Sequence, residues 1–134
     1  MAEPRPGPLR ALLTAYGLLA VAALARSTAQ LATRASHAPL AYSLSAFAAV
    51  VYLTAALALA ARRPAARRIA VVACSIELAG VLGVGALSLA VPSAFSDASV
   101  WSAFGVGYGF VPLLLPPLGL WWLFSAHARY GPAP

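Results

Sequence analysis

Glu77 has the clearest chemical potential in this sequence, because it places a carboxyl group inside a long apolar stretch. The 134-residue chain contains only three acidic residues, and the segment around Glu77 is otherwise almost entirely apolar. Helical geometry places it roughly 13 Å from the start of that segment, close to the middle of a bilayer. A charged side chain there costs at least about 3 kcal/mol and normally faces the bundle interior. We therefore expect a protonated, hydrogen-bonded carboxyl, whose chemistry would be proton or cation binding.

Two tyrosines are predicted at the same depth as Glu77. Counting from the same membrane side reaches Tyr16 on the first apolar stretch and Tyr52 on the second. A phenol can donate a hydrogen bond to a carboxyl oxygen, and Gly80, one turn beyond Glu77, leaves room beside it. Glu77, Tyr16 and Tyr52 are therefore the candidate proton- or cation-binding residues. The alternative interpretation is a polar cluster that only fixes the register of the helices.

Prolines in the last apolar stretch predict a second polar feature beside this site. Proline has no backbone N–H, so in a helix interior the carbonyl four residues earlier loses its partner. In a bilayer such a carbonyl must face protein, water or a ligand. We therefore expect a kinked fourth helix. The kink is assigned to Pro112, Pro116 and Pro117.

Four apolar stretches must position these residues, and each is long enough to cross a bilayer, which takes about 20 residues. With 62% hydrophobic and 9% charged residues, the composition excludes an ordinary water-soluble domain and a disordered chain. The sequence therefore predicts an all-α fold in a single transmembrane domain, residues 1–134, built as a four-helix bundle. The predicted spans are residues 9–25, 39–61, 69–91 and 103–124.

The beginning of the chain permits a second interpretation. Arg5 and Arg10, followed by an apolar run that ends in small residues at 23–25, resemble a cleavable signal peptide. Alanine is so frequent in this chain that such an ending arises by chance. We therefore expect an uncleaved first span.

The basic residues predict how the bundle is inserted. All nine are arginine, and basic residues near span ends stay in the cytoplasm. Four spans bring both termini and the middle connection to one side, which carries the larger number of arginines, so both termini are expected to be cytoplasmic. That side holds Arg5, Arg10, Arg62, Arg63, Arg67, Arg68 and Arg129, against Arg26 and Arg34 on the other. The bias toward arginine and alanine is typical of a GC-rich bacterial genome, so we expect a bacterial inner membrane.

Aromatic residues should mark the two membrane interfaces. The expected outer members are Tyr42 and Trp101, and the expected inner members are Trp121, Trp122 and Tyr130. Asp97 is expected to cap the fourth helix. The positive charge is explained by topology, so no nucleic-acid partner is expected.

Small residues predict the helix-packing faces. Ser75, Ala79 and Gly83 recur every four residues on the third stretch, a spacing that permits close helix contact. Gly105 and Gly109 repeat this spacing on the fourth. Packing within one bundle and packing between copies both remain open, so a homodimer or a larger membrane complex is a possible assembly in the lipid bilayer.

Residues 106–109, Val-Gly-Tyr-Gly, match part of the potassium-channel selectivity filter. The residues from Val111 to Phe124 are too few to supply the inner helix that must follow a filter, so a channel is not expected. Sequence motifs of hydrolases, nucleotide-binding loops and metal sites do not occur, and His37 and His127 belong to opposite membrane sides. We therefore expect neither an enzyme nor a cofactor or metal.

Two stretches, residues 75–88 and 97–112, resemble a group of small four-span integral membrane proteins of actinobacteria. The resemblance covers the second half of the chain, whereas the first half is similar only in hydropathy. It implies a four-span membrane protein, and it carries no activity and no site residue.

Two functions follow as expectations. The first is an accessory or structural component of the membrane, which the short connections and small-residue stripes favour. The second is a small proton- or cation-coupled transporter that acts as a dimer through Glu77. Multidrug exporters of similar size also carry a membrane glutamate, but theirs lies in the first span, so that analogy rests on architecture alone.

Overall fold

The computed structural model describes residues 7–61, 63–95 and 97–125. All regular structure in these ranges is helical. The α-helices are α1 (Gly7–Arg34), α2 (Pro39–Ala61), α3 (Pro64–Ala90) and α4 (Val111–Ser125), with 3₁₀ turns at Pro92–Ala94 and Ser102–Tyr108. Several residues used above to predict topology lie outside the described ranges: Arg5, Arg62, His127, Arg129 and Tyr130.

Three of these helices, α1 to α3, are long and apolar enough to cross a membrane, and a fourth crossing results if the bent pair Ser102–Tyr108 and Val111–Ser125 is one span. The helix α2 begins and ends at the predicted residues. The helix α3 begins earlier than predicted, at Pro64, because proline in the first turn needs no N–H partner and has a helical φ. Arg67 and Arg68 therefore lie in the first turns of α3 and not in a loop.

Side chains are distributed as in a membrane protein. Large apolar side chains cover the outside of every α-helix, among them Val21, Leu57, Val72 and Leu114, each more than half exposed. The inside holds polar groups, including the fully buried Glu77. In water an apolar exterior of this extent would cause aggregation. In a bilayer the same surface is the one expected to contact the lipid tails.

The predicted fourth span, residues 103–124, is broken, but the break lies before the prolines to which it was assigned. The chain bends by 99° between Ser102–Tyr108 and Val111–Ser125. Gly105 and Gly109 have left-handed φ values of 84° and 63°, which glycine adopts without steric cost. These glycines therefore form turns, and their predicted role in helix packing is wrong.

The predicted kink positions are only partly correct. Pro112 is the second residue of α4, where its missing N–H would have no helical acceptor, so the assignment of an interior kink to Pro112 is wrong. Pro116 and Pro117 do lie inside α4. The bend itself precedes all three prolines and lies at the glycine-rich stretch, between Ser102–Tyr108 and Val111–Ser125.

We call residues 97–108 the inserted segment, because its aromatic side chains enter the bundle. Trp101 is only 2% exposed, so its predicted place in an outer aromatic belt is wrong. The indole lies directly over Gly80, where an added Cβ would be 2.6 Å from the ring. Phe104 lies over Gly85 in the same way. The space beside Glu77 that Gly80 was expected to leave is therefore filled by Trp101.

The small-residue stripe predicted on α3 does not pack within the bundle. Ser75, Ala79 and Gly83 are all exposed, and a Cβ at Gly83 would meet no atom within 4 Å. The face that packs is instead the one that carries Cys74 and Glu77. Spacing alone could not distinguish the two faces, because both carry small residues.

Arg67 joins the beginning of α3 to the end of α4. Its Nε and one terminal nitrogen each donate to the Leu123 carbonyl at 3.2 Å, and its guanidinium lies 5.4 Å from the centre of the Phe124 ring. The last carbonyls of a helix have no partner within the helix, and a cation there also complements the helix dipole. Arg67 therefore fixes α4 against α3 at this end of the bundle.

Replacing Gly80 with alanine should destabilise the bundle, because the added methyl overlaps the Trp101 ring. Overpacking of this kind costs about 1–3 kcal/mol. Thermal unfolding in a single detergent, followed by tryptophan fluorescence, measures the effect. Gly83→Ala is the matched control: it adds the same methyl in open space on the same helix, and we expect an equal or higher Tm. Equal losses in both variants would contradict the placement of Trp101.

Candidate functional site

The candidate site lies at the midpoint of α3, where Glu77 is fully buried. The Tyr16 hydroxyl of α1 donates to Glu77 Oε2 at 2.9 Å, so the predicted contact between these two residues is present. Cys74, one turn before Glu77, places its Sγ 3.4 Å from the Tyr16 oxygen. Either the thiol or the hydroxyl can be the donor in this second contact. The result is a chain of hydrogen bonds from Cys74 through Tyr16 to Glu77.

Tyr52 lies beside this chain but does not hydrogen-bond to Glu77. Its ring centre is 6.2 Å from that of Tyr16. The Tyr52 oxygen accepts a hydrogen bond of 2.6 Å from the Trp101 indole N–H, and the two rings meet edge to face. The predicted bond from Tyr52 to the carboxyl is therefore wrong, because the indole of the inserted segment, which sequence reasoning placed at the interface, binds this hydroxyl.

Helix α4 closes the remaining side of the site through Gly119. A Cβ at Gly119 would lie 2.9 Å from Cys74 Sγ and 3.2 Å from the Tyr16 oxygen. Only glycine therefore lets α4 approach the hydrogen-bonded chain this closely. Sequence reasoning missed both Cys74 and Gly119. The available signal was that Cys74 lies one turn before Glu77 and therefore on the same helix face.

The carboxyl of Glu77 is only partly satisfied. Its Oε1 is buried and has no hydrogen-bond partner among the described residues. A buried polar atom of this kind normally has a partner in protein or ordered water. The arrangement can therefore bind a proton at Glu77, or accept one further donor at Oε1.

The site does not resemble a metal centre. Within the described ranges, no group of three or more histidine, cysteine, aspartate or glutamate residues is close enough to hold a metal ion. Cys74 and Glu77 are two potential ligands, and both already take part in hydrogen bonds. The geometry therefore favours hydrogen bonding over coordination.

A second polar cluster, formed by Arg34, Tyr42 and Asp97, holds the beginning of the inserted segment. Tyr42 of α2 donates to Asp97 Oδ2 at 2.8 Å, and Arg34 of α1 forms an ion pair of 3.7 Å with the same oxygen. Asp97 also accepts the N–H of Ala98 at 2.8 Å. It does not cap the fourth helix, and that expectation is wrong because the chain continues as a loop to Trp101. These contacts, the Tyr42 hydrogen bond first, lower the pKa of Asp97.

Serine hydroxyls accept hydrogen bonds from the backbone of the inserted segment. The Ser45 hydroxyl of α2 accepts the N–H of Val100 at 2.9 Å, and the Ser88 hydroxyl of α3 accepts the N–H of Ala103 at 2.8 Å. Ser99 and Ser102 bond to each other at 2.9 Å. The backbone of the inserted segment is therefore satisfied by side chains of the helices around it, as burial requires.

Comparison with known proteins finds no matching family model, no matching curated relative and no matching solved structure. The resemblance to small actinobacterial membrane proteins therefore stays a prediction.

Glu77→Ala should destabilise the bundle by about 1–3 kcal/mol, because it leaves the buried Tyr16 hydroxyl without an acceptor. Glu77→Gln keeps a side-chain carbonyl at the same position and should change the Tm much less. Ser75→Ala on the exposed face of the same helix is the control and should change little. In a double-mutant cycle, Tyr16→Phe should cost less in the Glu77→Ala background than in the wild type. Additive losses would contradict the hydrogen bond.

Acid should weaken the second polar cluster, formed by Arg34, Tyr42 and Asp97, through Asp97. A carboxyl whose pKa is lowered in the folded state stabilises that state above its ordinary value of about 3.9, and this contribution is lost as pH falls through the lower folded value. We therefore expect Asp97→Asn to have a lower Tm at neutral pH and a smaller Tm decrease between about pH 5 and pH 2. Identical pH profiles of Tm for the variant and the wild type would show that Asp97 is not the responsible group.

Proposed function

We propose that this chain is an accessory or structural component of a bacterial cell membrane, without enzymatic activity of its own. In this proposal the bundle crosses the membrane four times, with both termini in the cytoplasm. The main support is that the buried polar side chains bind one another across helices. Tyr16 binds Glu77 between α1 and α3, and Trp101 binds Tyr52 between the inserted segment and α2.

The four-span arrangement is supported by two contacts at one end of the bundle. Arg67 at the beginning of α3 bonds to Leu123 near the end of α4, so these two helix ends lie together. Pro8 near the start of α1 lines the same cavity as Trp121 of α4. Both ends of the described chain are therefore near the connection between α2 and α3, as an even number of crossings requires.

An accessory role is further supported by the enclosure of Glu77. Five cavities in the described part of the chain have volumes of about 270–390 Å³, and Glu77 lines none of them. A carboxyl that holds helices together needs no path to solvent, whereas one that exchanges protons in each transport cycle does.

A small proton- or cation-coupled transporter is the second candidate. One observation favours it: Glu77 Oε1 is buried without a partner in the described residues. The broken fourth span beside it resembles the interrupted helices that form transporter sites at mid-membrane. In this candidate function the protein acts as a dimer, and Glu77 is the group that changes its protonation state.

Affinity purification from native membranes in mild detergent, followed by quantitative mass spectrometry, tests the proposal. We expect a larger membrane partner at a stoichiometric ratio, absent from membranes of the untagged strain. Recovery of the chain alone would contradict the accessory role. Proteoliposome flux then tests the second candidate: pH-dependent flux in the wild type that Glu77→Gln abolishes would support it, and flux retained in Glu77→Gln would exclude this site.

A further inference from the structure

A groove of about 370 Å³ runs between α2 and α3 on the outside of the bundle. Arg68 lies at the end of the groove where α3 begins. The apolar residues of its wall include Phe47, Val51, Val72 and Ile76. Thr54 also lines the groove, but its hydroxyl donates to the Val50 carbonyl of its own helix at 2.8 Å. An apolar chain can therefore fill the groove without leaving a polar group unpaired.

A second cavity continues from the same arginine. It measures about 390 Å³ and is lined by Arg63, Pro64, Ala65 and Arg68. Both arginines are exposed, and among the described residues no hydrogen bond or ion pair engages either guanidinium group. Guanidinium groups bind phosphate oxygens through paired N–H donors. An apolar groove therefore ends at a cavity suited to an anionic group.

The neighbouring Arg67 shows that these arginines differ in role. Its guanidinium is occupied by the Leu123 carbonyl and lies over the Phe124 ring. Arg68 follows directly in sequence, but it points in a different direction from α3 and lines the groove. Fixing the topology requires only positive charge on this side of the membrane. It requires neither the Arg67 bond to Leu123 nor the position of Arg68 at the groove.

We propose that the groove and its two arginines form a binding site for one anionic phospholipid. An acyl chain lies along α2 and α3, and the headgroup phosphate binds Arg63 and Arg68. The negative charge of the headgroup complements the two arginines, so the site favours anionic over zwitterionic lipid. Because Arg68 lies at one end of the groove, the acyl chain extends from there along the apolar wall. The proposal depends on membrane insertion of the bundle and not on its accessory role.

Native mass spectrometry of the purified full chain tests the site. The protein in detergent is titrated with phosphatidylglycerol or with phosphatidylcholine of the same acyl chains. At about 1 kcal/mol per arginine, Arg68→Gln should weaken phosphatidylglycerol binding about fivefold, and replacement of both arginines about thirtyfold. Val72→Trp should block the groove and reduce binding without removing a charge. Glycerol phosphate alone should not compete, because it lacks the chain that fills the groove.

Two matched variants control for charge and for size. Arg10→Gln removes one exposed arginine from α1, away from the groove, and should change binding less than twofold. Val50→Trp makes the same substitution as Val72→Trp on an exposed face of α2 that does not line the groove. Equal binding of the two lipids, or equal losses for Arg10→Gln and Arg68→Gln, would overturn the proposal. The Tm of each variant is measured first. If Val72→Trp does not fold, Arg68→Gln decides the result, because Arg68 is exposed and its replacement leaves the core unchanged.

Discussion

The hydrogen bond between Tyr16 and Glu77 is the interaction on which the arrangement of the bundle depends. A carboxyl at the midpoint of a helix in an apolar bundle has to find a donor, since leaving it unpaired is costly. The donor comes from α1, and this choice fixes which face of α3 points inward. Cys74 and Gly119 then follow, because they are the small groups that allow α4 to cover the resulting pair. A single polar requirement therefore sets the rotation of α3 and the approach of two other helices.

The inserted segment meets a related requirement for backbone groups. A loop that enters an apolar bundle has to satisfy its N–H groups without a ladder of its own. Ser45 and Ser88 provide acceptors on the flanking helices. The Trp101 indole N–H donates to the Tyr52 hydroxyl. The indole also fills the space over Gly80 on the inner face of α3. The interruption of the fourth span and the burial of Trp101 are thus two consequences of the same packing.

Most of the helices could be predicted from the sequence, because hydropathy over about 20 residues depends only on local composition. The same reasoning identified Tyr16 as the neighbour of Glu77, since positions at equal depth on two helices follow from helical rise. It failed where the outcome depended on which face turned inward, as for Ser75 and Ala79. Both faces of α3 offer small residues, and only the contacts of other helices distinguish them.

The break before α4 had a local signal that hydropathy does not register. Three glycines alternate with larger residues over positions 105–109, and such a run favours left-handed turns over helix. Averaging over a long window hides this signal, because the neighbouring residues are strongly apolar. The position of Trp101 had no comparable signal, since an aromatic residue near a span end more often lies at the interface. Its burial depends on Gly80, which is distant in sequence.

The two ends of the bundle are closed by different chemistry, and this difference has a physical consequence. At one end Arg67 binds a backbone carbonyl, and a carbonyl is not an ionisable group. At the other end Asp97 accepts a hydrogen bond from Tyr42 and forms an ion pair with Arg34. This cluster depends on an ionised carboxylate. Acid therefore acts on the end that holds the inserted segment and leaves the Arg67 clamp intact. Trp101 belongs to the same segment as Asp97, so the cluster that acid weakens also holds the loop that carries the buried indole.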